Sequence, residues 1–264
     1  MKAVSLRDIR KRFMAQPEKY LNLKKQRGMT LLEIIIVLGI IGTIAAGVVI
    51  LAQRAFDSKA ISDLVTNTNT IRTAVKQVYG PTGTYPAATG ANGDAAVLAL
   101  NDATIVTDTA TTIGQLVGLG KLSPSEARNN ISGDFYVIGA ASIGTTGGGG
   151  GGGTATPVGK GYFVNINGLD QQQCRNVLLQ IGNQWDYVKV INGEEAGKYA
   201  TPTTVNLADA VVASTATPTA GDAVLRSLIA TATPATNGNQ PISPERALAA
   251  CANNSGNGIL LGSR

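Results

Sequence analysis

One apolar run limits what this chain can fold into more than any other feature. Met29 to Leu51 is 23 residues long and carries a single charge, Glu33. As a helix rising 1.5 Å per residue it reaches roughly 34 Å, enough to cross the hydrocarbon core of a bilayer. A polar, basic leader ending in Gly28 precedes it.

The charge balance follows from that junction. Residues 1–28 hold nine Lys and Arg against Asp8 and Glu18, whereas the remaining chain holds 13 basic and 15 acidic residues. The net charge of +5 therefore belongs to the leader and does not indicate a nucleic-acid partner. Positive charge ahead of an apolar helix keeps that end in the cytoplasm and sends the C-terminal part outward. The leader is too charged to pack and is left out of the fold. An ordinary secretory signal has a short apolar core followed by a small-residue cleavage site. Here the run is too long, and Gly28 stands before it. A cut between Gly28 and Met29 removes the charges and keeps the helix.

Beyond Leu51 the helical pattern continues. Gln53 to Tyr79 contains no proline or glycine. Phe56, Ala60, Leu64, Ile71, Val75, Val78 and Tyr79, with Ile61 and Val65 beside them, form a stripe at spacings of three, four and seven. Gly80-Pro81 ends it. The pattern predicts one helix of about 50 residues, roughly 75 Å long, apolar all round in its first half and amphipathic in its second. The second half can lie against a globular domain, which leaves the first half for lipid or for other copies of the chain. Gly39, Gly42 and Gly47 in the first half suit close helix packing; they also soften the helix, since each glycine costs about 1 kcal/mol.

The remainder reads as α+β. Turn residues occupy 81–86, and Ala87 to Ala110 is a small, polar loop with a short helix. Ile113 to Leu122 reads as a helix, and Ser123 with Glu126 three residues on resembles a capped start of another. Phe135 to Ile138, Gly161 to Asn167, Tyr187 to Ile191 and Gly258 to Arg264 read as strands. Leu169 to Ile181 is helical and carries Cys174. Ser243-Pro244-Glu245-Arg246 opens a last helix that carries Cys251. Lys198 to Thr236 is Ala/Thr-rich, with a short helix at Ala223–Ile229. The seven glycines Gly147–Gly153 lack the Gly-Lys-Ser/Thr ending and flanking elements of a phosphate loop and read as a surface loop.

Catalytic constellations are scarce. The chain has no histidine, which excludes His-based triads and His-ligated metals, and two distant cysteines do not make a zinc site. Glu194-Glu195 sits in a glycine-flanked turn and reads as solvated. No cofactor and no enzymatic activity are expected. Two cysteines in an exported domain most simply form one disulfide, with two buried thiols as the alternative. Glu33 needs its own account, because a charge in a membrane helix costs on the order of 3 kcal/mol. It either reaches the headgroups or is paired. A cut after Gly28 frees an amine on Met29. In a bundle of axially offset helices, that amine meets the Glu33 of a neighbouring copy, and the pair neutralises both charges.

Gly28-Met29-Thr30-Leu31-Leu32-Glu33 followed by an apolar run resembles the class III signal of type IV pilins: glycine before the cut, a hydrophobic first residue, glutamate fifth. The long leader and Met29 look like the type IVb branch. Val37-Leu38-Gly39-Ile40, Ala46-Gly47-Val48-Val49 and Leu51-Ala52-Gln53-Arg54-Ala55-Phe56-Asp57-Ser58 are similar to the toxin-coregulated and longus-type pilins. So are Leu116-Val117-Gly118-Leu119-Gly120-Lys121-Leu122-Ser123-Pro124-Ser125-Glu126-Ala127 and Asn167-Gly168-Leu169-Asp170-Gln171-Gln172-Gln173-Cys174. The heptaglycine and residues 199–236 depart from that pattern.

The resemblance implies a type IV pilin fold, a long N-terminal helix packed on an antiparallel sheet. It divides the chain into a cleaved leader (1–28), a transmembrane and filament-core segment (29–51), an amphipathic segment (52–80) and a globular head (81–264) with a disulfide region between Cys174 and Cys251. A prepilin peptidase would cut between Gly28 and Met29 and N-methylate Met29. The subunit would wait in the inner membrane with its head in the periplasm. It would then polymerise through Met29 and Glu33 into an extracellular fimbrium for adhesion, aggregation or colonisation, a virulence role. The implied partners are further copies of the chain, the pilus assembly machinery and a host or bacterial surface. The rival readings are a minor pilin, a type II secretion pseudopilin, and a signal-anchored surface protein that never polymerises. Abundance in sheared filaments separates a major pilin from the first two. An uncut N-terminus marks the last.

Overall fold

The computed structural model describes residues 30–88, 93–144, 160–202, 204–229 and 237–264. The leader, Gly28, Met29 and the heptaglycine lie outside the described residues, as do parts of the loops expected at 87–110 and 199–236. The chain divides into two compact units, residues 1–54 and 55–264.

The first helix, α1, runs Leu31–Tyr79 over 49 residues. It ends where expected. A side chain at Gly80 would strike the Lys76 carbonyl oxygen at 2.3 Å, and Pro81 has no N–H to continue the ladder. Within the folded unit its buried positions are Ile61, Leu64, Asn67, Thr68, Ile71, Ala74 and Val75, a stripe at spacings of three and four. Phe56, expected on that stripe, is 72% exposed, and burial begins only at Ile61.

The folded unit contains an antiparallel five-stranded sheet in the order β1-β2-β5-β3-β4. The strands are β1 Val137–Ala141, β2 Gly161–Leu169, β3 Tyr187–Asn192, β4 Asp222–Arg226 and β5 Asn257–Ser263. The C-terminal strand is central, and all seven of its residues are buried. That explains why Gly258 to Ser263 reads as a continuous apolar and small run rather than an alternating one. The helices are α2 Asp94–Leu98, α3 Thr112–Gly118, α4 Gln171–Ile181 and α5 Pro244–Ala250. α4 starts with a full capping box between Asp170 and Gln173.

Three expectations need correction. Ala223–Ile229 is not a helix: Asp222–Arg226 is the strand β4, with Ala223 and Leu225 buried in alternation. Pairing with β3 gives this short segment ladder hydrogen bonds that an isolated helical turn would lack. Ser123 to Glu126 makes the capping bonds, with Ser123 Oγ donating to the Glu126 carboxylate at 2.7 Å. It forms only one turn, because the chain then bridges Arg128 to Phe135. α3 stops at Gly118 rather than near Leu122. Gly120 adopts φ +67°, and Lys121 N–H donates back to the Leu116 carbonyl at 3.0 Å, a glycine C-terminal closure.

The stripe of α1 shares one core with the sheet and α4. The Arg72 guanidinium lies 5.2 Å from the Trp185 ring centroid and donates to the Gln184 carbonyl at 2.8 Å. Tyr85, Tyr162 and Trp185 continue the contact, with centroids 5.0 and 6.3 Å apart.

Candidate functional site

Three places carry the chemistry that the sequence singled out. The first is the start of α1. Residues 31–51 expose their side chains almost throughout: Leu31 is 78% exposed, Leu38 63% and Leu51 68%. This helix is long and apolar enough to cross a membrane. Glu33 lies in its first turn, where the positive end of the helix dipole favours a carboxylate. Its N–H donates to Thr30 Oγ1 at 3.3 Å and to the Thr30 carbonyl at 3.0 Å. Thr30 is therefore the cap that holds Glu33 in helical register. The Thr30-x-x-Glu33 spacing is itself a capping signature, and the sequence reading passed over it. Nothing within 4 Å would meet a Cβ added at Gly39, Gly42 or Gly47. Among the described residues, no neighbouring atom requires these positions to be small.

The second place is the disulfide. Cys174 in α4 and Cys251 just past α5 are bonded, with Cα atoms 6.1 Å apart, and both are buried. Two free thiols are thereby excluded. Around the bridge, Gln171 Nε2 donates to the Cys251 carbonyl at 3.1 Å and Arg175 Nη2 to the Leu248 carbonyl at 2.9 Å. Asn257 at the head of β5 donates to the Leu169 and Ala252 carbonyls and accepts from Ala252 N–H. These bonds tie the segment after the bridge to the end of β2.

The third place is one the sequence reading misjudged. Glu194, expected to be solvated, is fully buried, while Glu195 beside it is exposed. The loop after β3 lies over Asn165 and Asn167 of β2. Glu194 Oε1 accepts from Asn165 Nδ2 at 2.8 Å and from Ala200 N–H at 2.9 Å. Its Oε2 points at Gly258 of β5, where an added Cβ would meet it at 1.8 Å. Burial pushes this carboxyl up to about 7; the hydrogen bonds from Asn165 and Ala200 pull the other way, and the nearby Asp94 carboxylate adds to the rise. Only a glycine at 258 admits the side chain, but nothing local in the sequence links residues 194 and 258. Among the described residues, no three His, Cys, Asp or Glu side chains are grouped to hold a metal.

The chain is similar to known proteins. Residues 23–49 match the prokaryotic N-terminal methylation motif. Two toxin coregulated pilins, one from Vibrio cholerae serotype O1 strain El Tor Inaba N16961 and one from Vibrio cholerae, are 35% and 34% identical over 168 residues. That alignment covers 64% of this chain, and the chain spans 63% of the length of these curated relatives. The crystal structure of TcpA, a type IV pilin from the El Tor biotype of Vibrio cholerae, aligns with a TM-score of 0.50 at 21% identity, covering 78% of this chain and 99% of that one. The fold is that of a type IV pilin.

Within a type IV pilin fold, the features above fall into distinct roles. The exposed apolar half of α1 carries the methylation motif, and its amphipathic half belongs to the core with the antiparallel sheet. The disulfide encloses β3, β4 and α5. Gly28 and Met29 belong to the matched motif but lie outside the described residues, so the Met29–Glu33 pairing has no geometry here.

Proposed function

We propose that this chain is the major structural subunit of a type IVb pilus. The observation that carries the reading is the start of α1, where an exposed apolar helix with a capped carboxylate and three unopposed glycines coincides with the methylation motif. An apolar helix of this length is stable in water only when something covers it. The inner membrane covers it before assembly, and other copies cover it afterwards.

In this proposal residues 1–28 are a leader removed by prepilin peptidase between Gly28 and Met29, and Met29 is then N-methylated. Segment 29–51 forms the membrane anchor and then the filament core, 52–80 is the amphipathic helix, and 81–264 is the head. Glu33 of one copy pairs with the Met29 amine of the next and fixes the axial offset. Pairing removes the cost of a lone carboxylate in an apolar core. The subunit sits in the inner membrane with its head in the periplasm, then in an extracellular filament. The region bounded by Cys174 and Cys251 faces neighbouring pili and target surfaces, where it supports adhesion and aggregation. The subunit performs no catalysis.

The test is mass spectrometry on material sheared from the cell surface. The expected chain starts at N-methyl-Met29, lacks residues 1–28 and is two hydrogens light for the disulfide. An uncut chain recovered only from membranes overturns the reading. A Glu33→Ala variant that still yields wild-type amounts of filament overturns the Glu33–Met29 pairing and leaves the subunit reading standing.

A further inference from the structure

The loop from Gly193 to Thr201 is bound to the face of the sheet by polar contacts. Gly168 N–H donates to the Glu194 carbonyl at 2.7 Å, and Glu194 N–H donates to the Gly256 carbonyl at 3.0 Å. Gly197 N–H donates to Asp134 Oδ2 at 2.7 Å, and Tyr199 OH donates to the Phe135 carbonyl at 2.6 Å. Asn165 Nδ2 bridges Glu194 Oε1 and Thr201 Oγ1, both at 2.8 Å, and Thr201 N–H donates to Asp94 Oδ2 at 3.2 Å. One residue in this set belongs to both layers: Glu194, whose backbone joins the strand ends and whose carboxyl is sunk beneath the loop against Gly258.

The cluster is short of donors. Glu194 Oε2, Asn165 Oδ1 and Asp94 Oδ1 are all buried oxygens without a hydrogen-bond partner. Each can accept, and an ionised Glu194 also places a negative charge out of water. A carboxylic acid at Oε2 supplies an O–H to a cluster that has acceptors waiting, and it removes the buried charge. The charged groups around it fit that state. Asp94 on α2 is a like-charged neighbour, and the one cation on the loop, Lys198, is paired with exposed Glu195 at 3.5 Å.

We infer that Glu194 is a proton-operated latch: as the neutral acid it pins the loop 193–201 to the sheet beside Asn165 and Gly258, and loss of the proton lets the loop lift. Burial and the Asp94 carboxylate place the titration near neutrality, at about 7. A lifted loop frees the chain where it leaves β3 for the long excursion that the disulfide closes. The device is independent of filament assembly.

Hydrogen exchange by mass spectrometry on the full chain in detergent tests it, with rates corrected for intrinsic pH dependence. A carboxyl raised from its ordinary value to about 7 increases opening of residues 195–201 by roughly 25-fold between about pH 5.5 and about pH 8. Glu194→Gln, which keeps the shape and a donor, holds the loop closed at both values. Asp94→Asn removes the like charge that helps hold the proton on Glu194 and moves the transition to lower pH. A flat wild-type profile overturns the latch, as does a pH response that survives in Glu194→Gln. A loop that a chelator opens at low pH overturns it too, because a bound cation would then be the neutralising partner. The wild-type profile alone decides the matter should the glutamine variant not fold.

Discussion

The two halves of α1 both carry large apolar side chains, and these behave in opposite ways. Leu38 is 63% exposed, whereas Leu64, in the same helix and with the same chemistry, is fully buried. Burying a leucine contributes about 1.5–3 kcal/mol relative to leaving it in water. Residues 61–75 collect that gain within the chain. Residues 31–51 collect none of it until a bilayer or another copy covers them. The difference teaches that hydrophobicity has two uses in one element: the second half folds the chain, and the first half, on the proposal above, serves assembly. Substitutions in the two halves should therefore separate stability from filament formation.

The largest effect on stability should come from the disulfide, which lies wholly in the folded unit. Closing a loop with a sequence separation of 77 is worth about 4 kcal/mol by loop-closure entropy. Replacing Cys174 and Cys251 together by serine should lower the unfolding free energy by that amount. Protease sensitivity should rise first between the two positions. Equal cleavage with and without reductant would count against the bridge as the staple of that region.

Next comes the direct comparison. Leu64→Ala should destabilise the folded unit by about 3 kcal/mol through lost burial and a cavity. Leu38→Ala should leave its denaturation midpoint unchanged and lower filament yield instead. A matching loss of stability from both would break the division argued here.

Acidity gives a third, smaller effect, confined to the folded unit. The Glu194 carboxyl is higher in the folded chain, about 7, than its ordinary 4.5, so the folded state holds the proton more tightly. Its contribution is complete below about pH 4.5, is lost as pH rises towards 7, and then levels off. The change amounts to at most about 3 kcal/mol, and Glu194→Gln should remove it from a pH series of urea melts.

These cases also show which parts of the molecule were legible in sequence. The start and end of α1 could be read from composition and from Gly80-Pro81, because both signals are local. The border between its halves could not: Phe56 continues the apolar spacing yet is exposed, since burial depends on where the rest of the chain lies. β4 was misread because Ala223, Leu225, Leu228 and Ile229 fit helical spacing nearly as well as alternation, and only pairing with β3 decides. Glu194 was misread because flanking residues suggest a turn, while Asn165, Asp94 and Gly258, which make its site, are distant in sequence. The capping role of Thr30 was missed although its signal, a spacing of three to Glu33, is local.

The smallest predicted effect uses that cap to sharpen the comparison. Two threonines do the same job in the two regions. Thr111 Oγ1 accepts from Gly114 N–H at 3.1 Å to start α3 inside the core, and Thr30 Oγ1 accepts from Glu33 N–H at 3.3 Å to start α1 in the open. Losing an N-cap oxygen costs about 1 kcal/mol of the helix it serves. Thr111→Ala should therefore lower global stability by about that much, because α3 is part of the cooperative core. Thr30→Ala should leave global stability unchanged and raise hydrogen exchange only in the first turn, over residues 31–34. If Glu33 must be held in helical register to meet its partner in a neighbouring copy, filament yield should fall with that fraying. Thr30→Ser, which keeps the oxygen, should restore it. Full assembly with a frayed first turn would show that Glu33 needs no positioning and would leave the pairing proposal without its geometric requirement.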